Sequence, residues 1–95
     1  MTNEFENIPV EEDTRVLSRN FLEMAGFEVC HEVWCYEGIT AESIIFREDD
    51  VSGKSDDEIK ELVAANRKVA DPASMTFKRT GEFVFCNFNF IPSDD

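Results

Sequence analysis

Residues 27–47, FEVCHEVWCYEGITAESIIFR, contain the pattern from which we predict the fold. Side chains in residues 27–36 alternate between two faces, as they do in a β-strand. One face is apolar apart from His31, so it is predicted to face the core. The other face carries Cys30 together with two carboxylates and two aromatic rings: Glu28, Glu32, Trp34 and Tyr36. Glu37 and Gly38 suit a turn, and the apolar run within residues 43–47 predicts the returning strand.

A helix is predicted on each side of this hairpin. In residues 9–25, side chains that suit a buried face recur at helical spacing, and Gly26 suits a C-terminal cap. Residues 56–70 form the second predicted helix. It begins at a capping box, in which Ser55 caps the helix and Glu58 reaches back to Ser55. Asp71 and Pro72 are expected to end it.

A second hairpin is predicted in residues 75–79 and 83–90, with Thr80 and Gly81 as its loop. This loop would set Phe77 opposite Val84. The alternating pattern assigns six side chains to the core face: Met75, Phe77, Val84, Cys86, Phe88 and Phe90. Phe83 and Phe85 fall on the opposite face, where a simple two-layer fold does not explain them.

These elements predict an α+β fold with the order α-β-β-α-β-β. Two-layer packing then favours a mostly antiparallel four-stranded sheet with both helices on one face. We assign residues 9–92 to one domain, residues 1–8 to a polar leader and residues 93–95 to a tail. A length of 95 residues leaves room for one core, and nine Phe residues require one.

Negative charge is unevenly distributed along the chain. The net charge is −12, and all of this excess lies in residues 1–58, because acids and bases balance in residues 59–95. Acidity that serves solubility alone is expected to spread more evenly. Such a surface repels the phosphates of nucleic acid and of anionic membranes, so direct binding to either is not expected.

The N-terminus has no apolar stretch typical of a signal peptide, and no apolar run approaches the length of a membrane span. An odd number of cysteines without a tight framework spacing fits a reducing compartment. We therefore predict a cytoplasmic protein, in a bacterium or in a phage-infected host cell.

No motif predicts catalysis, a cofactor or a metal. The sequence Gly53-Lys54-Ser55 ends like a phosphate-binding loop, but Glu48 stands where that loop needs glycine. Cys30 and His31 are neighbours on a strand and point to opposite faces, which disfavours a shared zinc ion. We interpret His31 as a hydrogen-bonded core residue, and we predict that the protein is not an enzyme.

In size, charge and mixture of helix and strand, the chain resembles two classes of small acidic inhibitor. One class consists of phage-encoded blockers of bacterial defence nucleases, some of which mimic DNA, and the other of immunity proteins that neutralise nuclease toxins. The resemblance implies an inhibitor or regulator that occupies the basic site of a nuclease or another nucleic-acid-binding protein. The predicted partner-binding residues are Glu28, Glu32, Trp34, Tyr36, Glu48, Asp49, Asp50, Asp56, Asp57 and Glu58.

An alternative remains open. The protein is then a non-catalytic accessory or oligomeric module, and its acidity serves only solubility. This interpretation predicts docking through an apolar patch, with a homodimer through Phe83 and Phe85 as one form of it.

Overall fold

The structure, a computed structural model, describes residues 15–36 and 39–91 and contains one antiparallel sheet of five strands in the order β1-β2-β3-β5-β4. The elements are β1 (Arg15–Met24), β2 (Phe27–Tyr36), β3 (Ile39–Arg47), α1 (Glu48–Val51), α2 (Asp56–Asn66), β4 (Thr76–Arg79) and β5 (Phe83–Asn89). The predicted leader, the tail and the turn at Glu37 and Gly38 lie outside the described residues. The α+β class and the antiparallel sheet are confirmed.

The prediction of a helix over residues 9–25 is wrong for the part that the structure describes. Arg15–Met24 is a strand that pairs with β2, so the sheet has five strands instead of four and the predicted element order fails. The prediction interpreted Gly26 as the C-terminal cap of a helix. In the structure Ala25 and Gly26 both have positive φ angles, of 55° and 88°. Two successive positive φ angles are the signature of a tight two-residue hairpin, whereas a helix cap needs only one.

The central hairpin confirms the prediction made from residues 27–47. β2 has the predicted bounds, and β3 starts earlier than predicted, at Ile39. The register pairs Cys30 with Ile45 and His31 with Ile44. The predicted division of β2 into two faces is therefore correct.

The helix α2 begins as predicted and ends earlier. The capping box is complete, because Ser55 Oγ accepts from the Glu58 backbone N–H and Glu58 accepts from the Ser55 backbone N–H. The helix ends at Asn66, and Arg67 has an extended backbone. Ala70, which was predicted to be helical, instead forms a bridge with Phe90 beside the sheet. In the described part of the chain, no helix is long and apolar enough to cross a membrane.

The C-terminal hairpin is present with a register two residues from the predicted one. Phe77 lies opposite Cys86, and Arg79 lies opposite Val84. The loop is longer than predicted because Thr80 bonds twice to Phe83, once by its backbone N–H and once by its hydroxyl oxygen. A shift of two residues preserves the faces. Met75, Val84, Cys86 and Phe88 of the predicted core face are buried and Phe77 packs against them, whereas the prediction is wrong for Phe90, which is 38% exposed.

Apolar side chains are buried on both faces of the sheet. The first face packs against α1 and α2, whose buried side chains Val51, Ile59 and Val63 join the strand residues in one large cluster. The second face holds a smaller cluster made of strand residues only: Cys30, Ile45, Phe83 and Phe85. The two Phe residues that the sequence left unexplained are therefore core residues of the second face.

Candidate interaction site

Acidic side chains from three segments of the chain meet at one end of the sheet. Residues 23–28 contain the β1–β2 turn and the strand ends beside it, residues 47–58 lead from the end of β3 into the first turn of α2, and residues 79–82 run from the end of β4 to β5. Direct contacts join the segments: the Glu48 backbone N–H donates to the Glu82 carbonyl at 2.9 Å, and Arg47 Nη2 donates to Glu28 Oε1 at 2.7 Å. We name this surface the acidic end. Its carboxylates are Glu23, Glu28, Glu48, Asp49, Asp50, Asp56, Asp57, Glu58 and Glu82.

Only three basic residues lie in the same segments, namely Arg47, Lys54 and Arg79. Arg79 connects three parts of the acidic end. Its Nη1 donates to Glu48 Oε1 at 2.8 Å, and its Nη2 donates to Asp56 Oδ1 at 3.0 Å and to the Lys54 carbonyl at 3.2 Å. The hydrogen bond to Asp56 is the main reason why the pKa of Arg79 is raised. Arg79 thus fixes the start of α2 against the edge of the sheet.

The side chain of Glu58 is held by the capping box. It accepts hydrogen bonds from the backbone N–H and from the hydroxyl of Ser55, at 3.1 and 3.2 Å. These bonds favour the ionised carboxylate, and they lower the pKa of Glu58. Glu58 therefore stabilises the first turn of α2.

Asp49 and Asp57 differ from the other predicted partner-binding acids. Both are exposed, and neither makes an ion pair with any residue in the described ranges. Because their carboxylates are in water and make no described ion pair, they are the predicted partner-binding acids most available to an external cation; Glu23 and Glu82, at the same end of the sheet, are also exposed.

Three of the predicted partner-binding residues lie away from the acidic end. Glu32 is only 1% exposed and bonds to Arg19 on the second face. Trp34 is buried on the same face, and no acceptor within the described ranges bonds its indole N–H. The side chain of Tyr36 lies outside the description. The structure thus brings together Glu28 and the acids of residues 48–58, and it separates Glu32 and Trp34 from them.

A buried polar cluster on the first face was missed by the sequence reasoning. Glu42, in β3, is 1% exposed and accepts two hydrogen bonds from Arg67, at 3.0 Å from Nε and 2.7 Å from Nη2. Nε2 of His31 bonds to the same carboxylate. The prediction of His31 as a hydrogen-bonded core residue is therefore confirmed. Alternation along β3 contained the signal for Glu42, because it shares a face with Ile44 and Phe46.

The cysteines do not share one site. Cys30 is buried on the second face, whereas Cys86 is buried on the first face and pairs with Ile44. Burial raises the pKa of each of these two thiols to about 12, with smaller contributions from Glu32 at Cys30 and from Asp56 at Cys86. Both are therefore protonated at neutral pH, which is the unreactive form of the group.

Comparison of the chain with protein-family models, with curated proteins and with solved structures found no match.

Proposed function

We propose that this chain is a non-catalytic binding protein whose acidic end occupies the basic site of a nucleic-acid-handling enzyme. The observation that carries the proposal is the gathering of nine carboxylates, against three basic side chains, from separate segments at one end of the sheet. Sites that bind nucleic acid present Arg and Lys side chains to phosphates, and carboxylates bind the same groups. A bound acidic end would therefore exclude nucleic acid from the site.

The ion pairs inside the acidic end support this proposal. Arg79 and Arg47 hold Glu48, Asp56 and Glu28 on the framework of strands and helix, so a partner does not have to order them on binding. Pre-organisation of this kind lowers the entropic cost of association. Asp49 and Asp57 then supply exposed charge, which steers a basic partner during its approach.

The proposal includes the cytoplasm as the compartment, either of a bacterium or of a phage-infected host cell. Cys30, Cys35 and Cys86 are all free thiols, and free thiols persist in a reducing environment. An anti-defence role and a toxin-immunity role are both consistent with this compartment.

Affinity capture from a bacterial lysate with a pair of charge-matched variants tests the proposal. The test variant is Asp49→Asn/Asp57→Asn, which removes two negative charges from the acidic end. The control variant is Glu61→Gln/Ala65→Lys, which changes the net charge by the same amount at exposed positions of α2 outside the acidic end. Each is immobilised and exposed to the lysate in about 0.05 M and in about 1 M salt, where the Debye length falls from about 14 Å to about 3 Å.

We expect the wild type and the control to retain the same nucleic-acid-binding protein at low salt and to lose it at high salt. The test variant should retain much less of it at low salt. If the two variants capture equal amounts, or if capture is unchanged at high salt, the acidic end is not the binding site.

A second candidate function is favoured by a separate observation. Val69, Phe90 and Ile91 are exposed apolar side chains that lie together, because Ile91 bonds through its backbone to Val69 and Phe90 bridges to Ala70. The predicted homodimer through Phe83 and Phe85 stays a hypothesis, although both rings are buried within one chain. For an accessory or oligomeric module, we propose Val69, Phe90 and Ile91 as the contact surface in place of Phe83 and Phe85.

Light scattering coupled to size-exclusion chromatography separates the two candidates. For an oligomeric module we expect a dimer mass in the wild type and a monomer mass in Ile91→Glu. Ala73→Glu adds the same charge at an exposed position and should leave a dimer intact. A monomer mass in all three proteins would exclude self-association.

A further inference from the structure

The strand β1 lies at one edge of the sheet, where among the described residues only β2 pairs with it. The residues on each side of a two-residue hairpin turn form a hydrogen-bonded pair, so the backbone groups of Met24 point to Phe27 in β2. Backbone direction alternates along a strand of an antiparallel pair. The N–H and C=O groups of Arg19, Phe21 and Glu23 therefore point away from β2, where another strand could bind them.

The side chain of Glu23 lacks a basic neighbour in the described part of the chain. It is exposed, and the register sets it opposite Glu28, another carboxylate. Like charges that face each other across two strands are unfavourable. A cation on the outer side of β1 would therefore stabilise Glu23.

Arg19 can supply such a cation to a second copy of the chain. It bonds to Glu32 through Nε and Nη2, which leaves Nη1 for another carboxylate, and its side chain is 29% exposed. Phe21 lies between Arg19 and Glu23 on the same face of the sheet and is 46% exposed. The edge thus presents a cation, an aromatic ring and an anion in that order.

This order is complementary to itself in one antiparallel register. When two β1 strands pair with Phe21 at the centre, Arg19 of each copy lies opposite Glu23 of the other, and the two Phe21 rings face each other. Each facing pair then exchanges two backbone hydrogen bonds. Sliding one copy by two residues in either direction sets Arg19 or Glu23 opposite Phe21 and breaks both ion pairs. Charge and aromatic pairing therefore favour the centred register.

The antiparallel arrangement also keeps the two acidic ends apart. Each acidic end lies beside the turn at Ala25 and Gly26, and in the centred register Ala25 of one copy lies near Leu17 of the other. The two turns are then roughly 27 Å apart along the strand direction. This distance exceeds the Debye length of about 8 Å at physiological ionic strength, so repulsion between the acidic ends is largely screened.

We propose that two copies of this chain pair through their β1 strands, antiparallel and centred on Phe21, to form one continuous sheet. Arg19 and Glu23 form the ion pairs between the copies. This interface differs from the exposed group of Val69, Phe90 and Ile91, which lies beyond β5. The inference goes beyond the proposed function, because the dimer would carry two acidic ends whether or not they bind an enzyme.

Hydrogen exchange of single backbone amides in the wild type tests the register. The amides of Arg19, Phe21 and Glu23 point outward, whereas those of Asn20 and Leu22 point to β2. Exchange is followed by NMR at about 0.02 mM and about 1 mM protein, since mass action favours a dimer at the higher concentration. We expect the outward amides to exchange about tenfold or more slowly at the higher concentration, and the inward amides to change much less.

Fast exchange of the outward amides at both concentrations would overturn the proposal, because the edge is then open. Slow exchange in a protein that sediments as a monomer would also overturn it, since the chain then covers its own edge. Neither result depends on the folding of a variant.

Two charge-matched variants test the ion pairs between the copies. Glu23→Arg sets two cations opposite each other in the dimer, whereas within one chain the new cation faces Glu28, so the fold is expected to remain stable. Glu61→Arg changes the net charge equally at an exposed position of α2 and is the control. Thermal unfolding checks that both variants are folded, and sedimentation equilibrium measures their association.

We expect Glu23→Arg to associate about tenfold or more weakly than the wild type, and Glu61→Arg to associate at least as well as the wild type. Ile91→Glu should still form the dimer. Equal association of Glu23→Arg and Glu61→Arg would reject the pairing of Arg19 with Glu23. A monomer in Ile91→Glu alone would assign self-association to the other surface and would likewise reject the proposal.

Discussion

Arg67, the first residue after α2, donates two hydrogen bonds to the buried carboxylate of Glu42 in the middle sheet strand β3. The pair fixes the end of the helix above the sheet, and it explains why the helix stops four residues earlier than the sequence predicts. A carboxylate that is 1% exposed keeps its charge only when such partners compensate for the lost hydration.

Replacement of Arg67 by Met is expected to lower the free energy of unfolding by about 2–3 kcal/mol, because Glu42 then lies buried with His31 as its only described partner. This estimate is below the usual range for a broken buried pair, since the Arg67 side chain is partly exposed. Denaturant unfolding measures the effect. The neighbouring exposed Lys68→Met is the control and should stay within about 0.5 kcal/mol of the wild type. Equal stabilities of the two variants would show that the pair contributes little.

The β1–β2 turn predicts a stabilising substitution. Ala25 has a φ of 55°, which a non-glycine residue adopts at a cost, and Asn is favoured at this position of a two-residue hairpin turn. Ala25→Asn is expected to raise the free energy of unfolding by about 0.5–1 kcal/mol. Ala65→Asn, at an exposed position within α2, should instead lower it by about 0.5 kcal/mol. A loss of stability in Ala25→Asn would contradict the hairpin.

The capping box predicts a dependence of stability on acid pH. The pKa of Glu58 is lower in the folded chain than its ordinary value of 4.5, so its contribution is complete above that pH and disappears as pH falls through the lowered pKa. Glu58→Ala should therefore melt at a lower temperature than the wild type at pH 7, and the two should converge in strong acid. Glu61→Ala, one turn later on the exposed side of α2, should not show this pH dependence. A constant difference between Glu58→Ala and the wild type would reject the ionic role.

The buried thiols predict that the free energy of unfolding falls as pH rises into the alkaline range. Because burial raises the pKa of Cys86 from 9.0 to about 12, the unfolded chain releases this proton first. Stability is then complete below pH 9.0 and is lost as pH rises towards 12, by about 1 kcal/mol for this thiol at pH 10. Cys86→Ala should lose less stability than the wild type between pH 8 and pH 10, whatever its stability at neutral pH. Parallel pH profiles would show that the thiol ionises normally in the fold.

The elements that the sequence predicts well have local signals. Alternation in residues 27–36 and the Ser55–Glu58 capping box each determine a structure from neighbouring residues alone, and both are confirmed. Residues 15–24 are different, since Leu17, Phe21 and Met24 fit a helical stripe while Leu22 and Met24 also fit one face of a strand. The pairing with β2 decides between the two, and periodicity within the segment does not show that pairing.

The same distinction applies to the candidate site. Runs of acids within residues 48–58 are visible in the sequence, but their meeting with Glu23 and Glu82 depends on the turns at one end of the sheet. For Glu32, the alternation along the strand was visible in the sequence, but the interpretation of its face was wrong. It was predicted to face a partner, and the cross-strand neighbour Arg19 instead binds it in the buried second face. Whether such a side chain binds a neighbouring strand or a partner cannot be decided until the strand register is known.

The position of β5 in the sheet has a consequence for how the chain folds. β1, β2 and β3 follow one another through short connections. In contrast, α1, α2 and β4 separate β3 from β5 along the chain, so the pairing of these two strands brings together residues as distant in sequence as Ala41 and Asn89. Closing a long loop costs entropy before its contacts form, and such pairings slow folding. We expect the first three strands to assemble early and the docking of β5 on β3 to limit the rate. Substitutions in β1 should then slow folding in proportion to the stability that they cost, whereas substitutions in β5 of the same cost should act in larger part on the unfolding rate.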